Sequence, residues 1–245
     1  LESFKKRLKA LEAKSAQDGI LLTEAQLVAL ERAKQEKEAH GEIETQCPGY
    51  LGSQDTYYVG NIKGVGRIYQ QTFIDTYSRV AMAKLYTDKT PVTAADTLND
   101  KVLPWFAEQG IPLLRVLTDR GTEYCGKVEH HAYQLYLAAE NIDHSKTRAR
   151  SPQTNGMVER LHGTMKREFY DIVFSKTIIT SLEDLQSELD LWLNDYNNLR
   201  PHSGRYCYGK TPMQTFRDSK HIAIDKNIDN MSRISDSLTN LAQTV

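Results

Sequence analysis

Three aspartates lie within or directly after segments with the composition of β-strands, where acidic residues are disfavoured. Asp55 lies inside GYLGSQDTYYVG, Asp75 follows TFI, and Asp119 follows the apolar run LLRVLT. A carboxylate directly after a buried strand is a frequent position for site residues in α/β proteins, although an isolated Asp there also serves as a turn or helix cap. Carboxylates that converge at the edge of a sheet could hold Mg²⁺, which prefers oxygen ligands. Two such ions can activate phosphoryl transfer.

A fourth acid, Glu159, lies in the segment SPQTNGMVERLHGTMKRE, whose pattern predicts a helix from about residue 154 to 170. On that helix Asn155, His162, Gly163 and Lys166 share a face with Glu159, and the apolar residues occupy the other side. A carboxylate beside a glycine and a lysine suits an approaching DNA backbone. An ordinary salt-bridged helix face has the same pattern, so periodicity alone leaves both interpretations open.

The charge distribution adds a signal that the total charge lacks. The chain has 31 basic and 32 acidic residues, a net charge of −1. Between residues 144 and 168, however, the chain has six basic residues and only two acidic ones. Such a local excess of positive charge is one signature of a nucleic-acid-binding region. The six are Lys146, Arg148, Arg150, Arg160, Lys166 and Arg167.

The elements that must position these acids follow from the hydrophobic patterns. Segments 50–60, 67–76 and 79–86 are rich in aromatic and β-branched residues and predict three sequential strands. A helix at 93–108, a buried strand at 111–117, a helix at 128–139 and a short strand near Ile142 follow. Three antiparallel strands and then strand–helix alternation predict an α/β fold with a mixed sheet flanked by helices.

The ends of the chain have a different composition. Two charged amphipathic helices are predicted within residues 1–45, so we expect a helical linker region there, a core at 46–216 and a loosely ordered polar tail at 217–245. Leu1 is not a start methionine, and we expect a natural N-terminus to be missing. No apolar run approaches the roughly 20 residues of a membrane span, which favours a cytoplasmic location. Three widely spaced cysteines argue against a disulfide framework or zinc site.

The motifs TFIDTYSR, LLRVLTDRGTEY, SPQTNGMVERLHGTMKRE and YNNLRPHSGRYCYGKTPMQTF occur in this order. Together they resemble the catalytic core of insertion-sequence transposases, a retroviral-integrase-like group with an RNase H-like fold and an Asp–Asp–Glu site. The resemblance covers about residues 50–216. The separation of Asp119 and Glu159 is slightly longer than in the best-known members. Helix-turn-helix modules, which precede the core in full-length members, are not evident in residues 1–45.

The resemblance implies that Asp55, Asp119 and Glu159 are the catalytic residues and hold two Mg²⁺ or Mn²⁺ ions. Asp75 is the alternative first ligand, at a position that members often keep acidic without using it for metal. The implied reaction is cleavage at transposon ends followed by strand transfer into target DNA, by a homo-oligomer on DNA in the bacterial cytoplasm, at the nucleoid. His162 is interpreted as a surface histidine and His202 as structural.

The basic segment then acquires a role as a DNA contact region. The expected DNA-binding residues are Lys146, Arg148, Arg150, Gln153, Asn155, Arg160, Lys166 and Arg167. Helix capping is an equal alternative for Asn155. Two other functions remain open: a purely hydrolytic RNase H-like nuclease, and an inactive DNA-binding remnant of a truncated element.

Overall fold

A computed structural model describes residues 45–127, 131–147, 156–176 and 179–228 of the chain. The chain divides into two compact units, Leu1–Glu44 and Thr45–Val245. All the described residues belong to the second unit. The two helices predicted in residues 1–45 lie outside the described residues.

Three consecutive antiparallel strands form one side of the sheet. They are β1 (Gly52–Ile62), β2 (Gly66–Asp75) and β3 (Ala81–Tyr86). A tight turn over residues 63–65 joins β1 to β2, and Asp55 of β1 lies opposite Thr72 of β2. These strands begin and end within two or three residues of the predicted ones, because their aromatic and β-branched residues fit a pleated surface.

Two short parallel strands complete the sheet on the other side of β1. They are β4 (Arg115–Thr118) and β5 (Asp143–Lys146). The strand order is β3-β2-β1-β4-β5, with β4 parallel to β1 and to β5. The predicted mixed sheet is therefore confirmed. β1 is its central strand, so a side chain on β1 has neighbours on both sides.

Helices pack on both faces of this sheet. A continuous helical segment comprises α1 (Pro91–Thr97), a π-helical turn (Leu98–Val102) and α2 (Leu103–Gln109). Next come α3 (Ala132–Ala139) and α4 (Gly156–Met165), the latter continued by a π-helical turn (Lys166–Tyr170) and α5 (Asp171–Lys176). The last two helices are α6 (Leu182–Asn198) and α7 (Pro212–Asp225).

The alternation of side chains along β1 and β2 assigns each helix to a face. On one face, Ile68 and Ile74 of β2 form a core cluster with residues of α4 and α6 such as Leu161 and Leu189. On the other face, Phe73 packs edge-to-face against Phe106 of α2, with ring centroids 6.0 Å apart. Asp55 alternates onto the first face with Thr72, and so points toward α4.

Helix α6 also protects the edge of the sheet. The Asn197 side chain accepts from the Ala81 N–H at 2.9 Å and donates to the Ala81 carbonyl at 2.8 Å. The Gln186 side chain accepts from the Leu85 N–H at 2.7 Å. These side chains satisfy backbone groups of β3 that a free edge would offer to another strand.

The C-terminal boundary differs from the predicted one. The boundary at residue 216 falls inside α7, which continues to Asp225. Phe216, Ala223 and Ile228 are buried, so spaced apolar residues hold a segment whose overall composition is polar. No helix within the described ranges is long and apolar enough to cross a membrane. Cys47, Cys125 and Cys207 are all free thiols.

Candidate active site

Asp55 and Asp119 come together because their strands are neighbours. β1 and β4 run parallel, with Gly52 opposite Val116 and Ser53 opposite Leu117. The same register continued by two residues brings Asp55 opposite Asp119, directly after β4 ends. Asp119 is fixed there by its own turn, since its Oδ1 accepts from the Gly121 N–H at 2.8 Å.

The electrostatics of Asp55 show that several acids share this place. Its side chain is 18% exposed. Burial raises the pKa of Asp55 to about 7, and the negative charges of Asp119, Glu123 and Glu159 add to the rise. A hydrogen bond from the Thr56 N–H, at 2.8 Å, opposes it. Three other carboxylates thus act on Asp55, and like charges at short range favour protonation unless a cation offsets them.

Helix α4 brings the third predicted residue to the same face. Glu159 is exposed in the first turn of α4. One turn later, His162 turns inward, and its Nδ1 lies 3.9 Å from Asp55 Oδ2. The helix therefore lies over β1, with one residue against Asp55 and the other, Glu159, close enough to raise its pKa.

His162 is a buried residue, and its interpretation as a surface histidine is wrong. It is 6% exposed, and burial lowers its pKa to about 4, so the ring is neutral. Its Nε2 lies 2.8 Å from Thr72 Oγ1, which already accepts from Gln70 Nε2 at 2.6 Å. The Thr72 hydroxyl can donate its proton to Nε2. This assignment leaves the ring proton on Nδ1, on the side of Asp55.

Glu123 and Lys89 also lie at the candidate active site, although the sequence patterns assigned them no role. Glu123 is 2% exposed. Its Oε1 accepts from Thr56 Oγ1 at 3.0 Å and from Lys89 Nζ at 2.9 Å. Although burial lowers it, the pKa of Lys89 is raised overall by its bond to Glu123 and by the charges of Glu123, Asp119 and Asp55. Strand pairing and the turn after β4 create this cluster, so local sequence carries no signal for it.

A buried polar network holds the reverse face of β1. Gln71 Nε2 donates to Thr56 Oγ1 at 3.0 Å, and the Tyr124 hydroxyl donates to Gln71 Oε1 at 2.8 Å. The Tyr133 hydroxyl donates to Gln54 Oε1 at 2.9 Å. Satisfied buried networks of this kind restrict side chains to one arrangement. The network therefore holds in place the part of β1 that carries Asp55.

Asp75, the alternative first ligand, lies in a separate and fully satisfied pocket. It is 0% exposed. Its Oδ1 accepts from the Gly49 N–H at 3.0 Å, and its Oδ2 accepts from the Ser78 N–H at 2.7 Å and the Ser78 hydroxyl at 2.6 Å. These bonds tie the turn after β2 to the segment before β1, and Asp75 is a structural residue.

The predicted DNA-binding residues are only partly within the described chain. Lys146 at the end of β5, Arg160 on α4, and Lys166 and Arg167 in the π-helical turn are all exposed. Lys166 Nζ lies 3.0 Å from both carboxylate oxygens of Asp171. The others, Arg148, Arg150, Gln153 and Asn155, lie outside the described residues.

The donor set fits a divalent cation, although it does not form a closed cage. Among the described residues, no three His, Cys, Asp or Glu side chains are grouped closely enough to hold a metal as they stand. Carboxylate oxygens are nevertheless the ligands that Mg²⁺ prefers. Burial, together with the negative charges of Asp119, Glu123 and Glu159, raises the pKa of Asp55, and a cation beside it would favour its ionised form.

Comparison with known families supports the class of protein that the fold and these acids indicate. Residues 45–152 and 140–212 each match a family described as integrase core domain. The overlapping matches span the whole sheet together with α4 and α6. The chain belongs to the integrase core family, and its resemblance to insertion-sequence transposases is confirmed.

The similar proteins include a viral and an insertion-element protein. ORF3 of Spiroplasma virus SpV1-C74, described as an integrase, is 28% identical over 180 residues, which cover 70% of this chain and 49% of that protein. A protein of insertion element IS136 from Agrobacterium fabrum is 34% identical over 90 residues, 36% of this chain and 40% of that protein. The chain thus spans about half the length of the viral relative, and less of the other.

Solved structures confirm the RNase H-like fold. A chain of the simian T-cell lymphotropic virus intasome, in complex with PP2A regulatory subunit B56 gamma, superposes with a TM-score of 0.58 at 21% identity, covering 71% of this chain and 56% of that one. The HTLV-2 integrase catalytic core domain in complex with magnesium gives 0.53 at 19% identity, covering 71% and 99%. At such identities the likeness establishes the fold.

Proposed function

We propose that this chain catalyses metal-dependent cleavage at the ends of a transposon and strand transfer of those ends into target DNA. The observation that carries the proposal is the approach of acids that are far apart in the chain: the register of β1 and β4 sets Asp119 opposite Asp55, and the charges of Asp119 and Glu159 add to the raised pKa of Asp55. Membership of the integrase core family supports the same reaction class.

Asp55 and Asp119 would hold one divalent cation, and Asp55 with Glu159 a second. When bound, Mg²⁺ or Mn²⁺ ions would activate the attacking oxygen and offset charge on the phosphoryl group. The HTLV-2 integrase core was solved in complex with magnesium, which supports this choice of ion.

The protein's own part is to position these ligands and the DNA. Neutral His162 lies 3.9 Å from Asp55 with its Nδ1, so it lines the site without competing with a cation for the charge of the carboxylate. The network behind β1 keeps the strand in register. Exposed basic residues of α4 and the following turn would contact DNA phosphates, which positions DNA without reading its sequence.

The proposed partners are transposon-end DNA and target DNA, bound by a homo-oligomer. The HTLV-2 core was solved in dimeric and trimeric forms, and the simian viral protein in an intasome. These assemblies are properties of those proteins and support an oligomer here by analogy. The bacterial cytoplasm, at the nucleoid, remains the proposed location.

The test is a strand-transfer assay with an oligonucleotide that ends in a free 3′-hydroxyl. Glu159→Gln should abolish metal-dependent joining and leave DNA affinity within about twofold, because one neutral amide replaces one ligand on an exposed helix turn. Exposed Glu188 of α6 provides a matched control, Glu188→Gln, which should join DNA like the wild type.

The same assay separates the alternatives. Cleavage without joining would indicate the hydrolytic nuclease, and DNA binding without either reaction would indicate the inactive remnant. Near-normal joining by Glu159→Gln would contradict the assignment of Glu159.

A further inference from the structure

The two oxygens of the Glu123 carboxylate differ in their hydrogen-bond partners. Among the described residues, Glu123 Oε2 is a buried side-chain oxygen without a hydrogen bond, while Oε1 of the same group has two. A buried unpaired carboxylate oxygen is costly, and such an atom in a native fold calls for an explanation.

The unpartnered oxygen lies beside the turn that carries Asp119. A Cβ atom placed on Gly121 would lie 2.5 Å from Glu123 Oε2 and 3.0 Å from Asp119 Oδ1. Both oxygens thus lie within about 3 Å of one point, and only a glycine leaves that point open. The turn after β4 brings the two carboxylates together because residue 121 lacks a side chain.

The other oxygen fixes the orientation of Glu123. Since the Tyr124 hydroxyl donates to Gln71, and Gln71 donates to Thr56, the Thr56 hydroxyl proton is directed to Glu123 Oε1. Lys89 Nζ binds the same oxygen. Both anchors hold Oε1, so the carboxylate cannot turn to satisfy Oε2 without losing them.

We propose that Glu123 is a fourth acidic residue of the site, whose Oε2 accepts a hydrogen bond from the water shell of a divalent cation held at Asp55 and Asp119. This inference rests on the proposed function. Mg²⁺ keeps several of its waters in protein sites, and these waters need acceptors beyond the direct ligands. Glu123 is a positioning residue in this scheme: it holds a water bound to the cation and does not contact DNA.

Mn²⁺ binding to the 245-residue chain, measured by electron paramagnetic resonance or calorimetry without DNA, tests the proposal. Glu123→Gln keeps the shape of the side chain and removes its charge. Loss of a partner behind the direct ligands typically weakens metal affinity 10–100-fold, so we expect the Mn²⁺ Kd to rise by about that factor. The Mg²⁺ concentration that half-saturates strand transfer should rise in parallel.

Glu188→Gln supplies the matched control, because it makes the same change of side chain at an exposed position of α6. Its Mn²⁺ Kd should stay within about threefold of the wild type. A folded Glu123→Gln protein that binds Mn²⁺ like the wild type would overturn the proposal. So would an equal loss in Glu188→Gln, since the effect would then not depend on the position of the Glu123 carboxylate.

Two further variants keep the outcome decisive. If Glu123→Gln does not fold, Glu123→Asp withdraws the carboxylate from Asp119 while keeping its charge, and an unchanged Mn²⁺ Kd would overturn the role of Glu123. Wild-type protein that binds Mn²⁺ no better than Asp119→Asn would instead overturn the proposed metal site, and the role of Glu123 with it. The two failures are therefore distinguishable.

Discussion

Asp55 and Asp75 lie on adjacent strands, and burial raises the pKa of both, yet their surroundings differ. Around Asp75, two backbone N–H groups and a hydroxyl satisfy the carboxylate. Around Asp55, a single backbone N–H is set against three other carboxylates. The supply of hydrogen-bond partners therefore distinguishes the structural acid from the candidate ligand.

The largest expected effect is the loss of activity in Asp119→Asn. An amide is a poor ligand for Mg²⁺, and a metal supplies several kcal/mol of transition-state stabilisation, so strand transfer should fall by about 10³-fold or more. Stability should not fall, because the Asn oxygen can still accept from the Gly121 N–H and one of several like charges is removed. Joining assays and urea unfolding measure the two effects. Substantial residual joining would break the comparison.

Asp75→Ala should do the reverse. It would leave the Gly49 N–H and both donors of Ser78 buried without an acceptor, at about 1–3 kcal/mol each. We expect the free energy of unfolding to fall by about 3 kcal/mol, measured by urea unfolding. The exposed Asp88 gives a control, Asp88→Ala, with a change below about 0.5 kcal/mol. A loss under about 1 kcal/mol for Asp75→Ala would contradict the structural role.

Magnesium should stabilise the protein by binding at Asp55 and Asp119, and should not bind at Asp75. At about 100 times its Kd, a ligand specific for the folded state adds about 2.7 kcal/mol. Wild-type protein and Asp75→Ala should both gain in thermal stability when Mg²⁺ is added, and Asp119→Asn should not. The measurement is the Tm with Mg²⁺ and with a chelator. An equal gain in Asp119→Asn would place the ion elsewhere.

The smallest effect is expected at the rim of the site. Lys166→Gln should weaken DNA binding equally for all sequences and reduce the slope of log affinity against log salt concentration by about 1. Lys166 would have to leave Asp171, its partner in the structure. Lys210 is paired in the same way with Asp218, so Lys210→Gln serves as the control. An unchanged slope for Lys166→Gln would exclude a phosphate contact there.

Much of the fold was predictable because its signals are local. The strands β1 and β2 were predictable from their aromatic and β-branched residues, which favour a pleated strand wherever they occur in succession. The composition of the chain predicts that the core ends at residue 216, which lies inside α7. The segment after that residue is mostly polar, and its few apolar residues that pack in the core give only a weak signal. The interpretation of His162 fails for a related reason, since its burial depends on β2 lying beneath α4.

The sequence by itself determined the mixed sheet, the family and the acids that are candidates for metal binding, because these depend on residue types in fixed local order. Only the tertiary structure decided which acids share a site. Strand pairing and the turn at Gly121 brought Glu123 beside Asp119. Asp75 lies in a different pocket, where its own hydrogen-bond donors satisfy its carboxylate. The role of an acidic residue depends on the groups within a few ångströms of its carboxylate, and only the folded chain determines which groups those are.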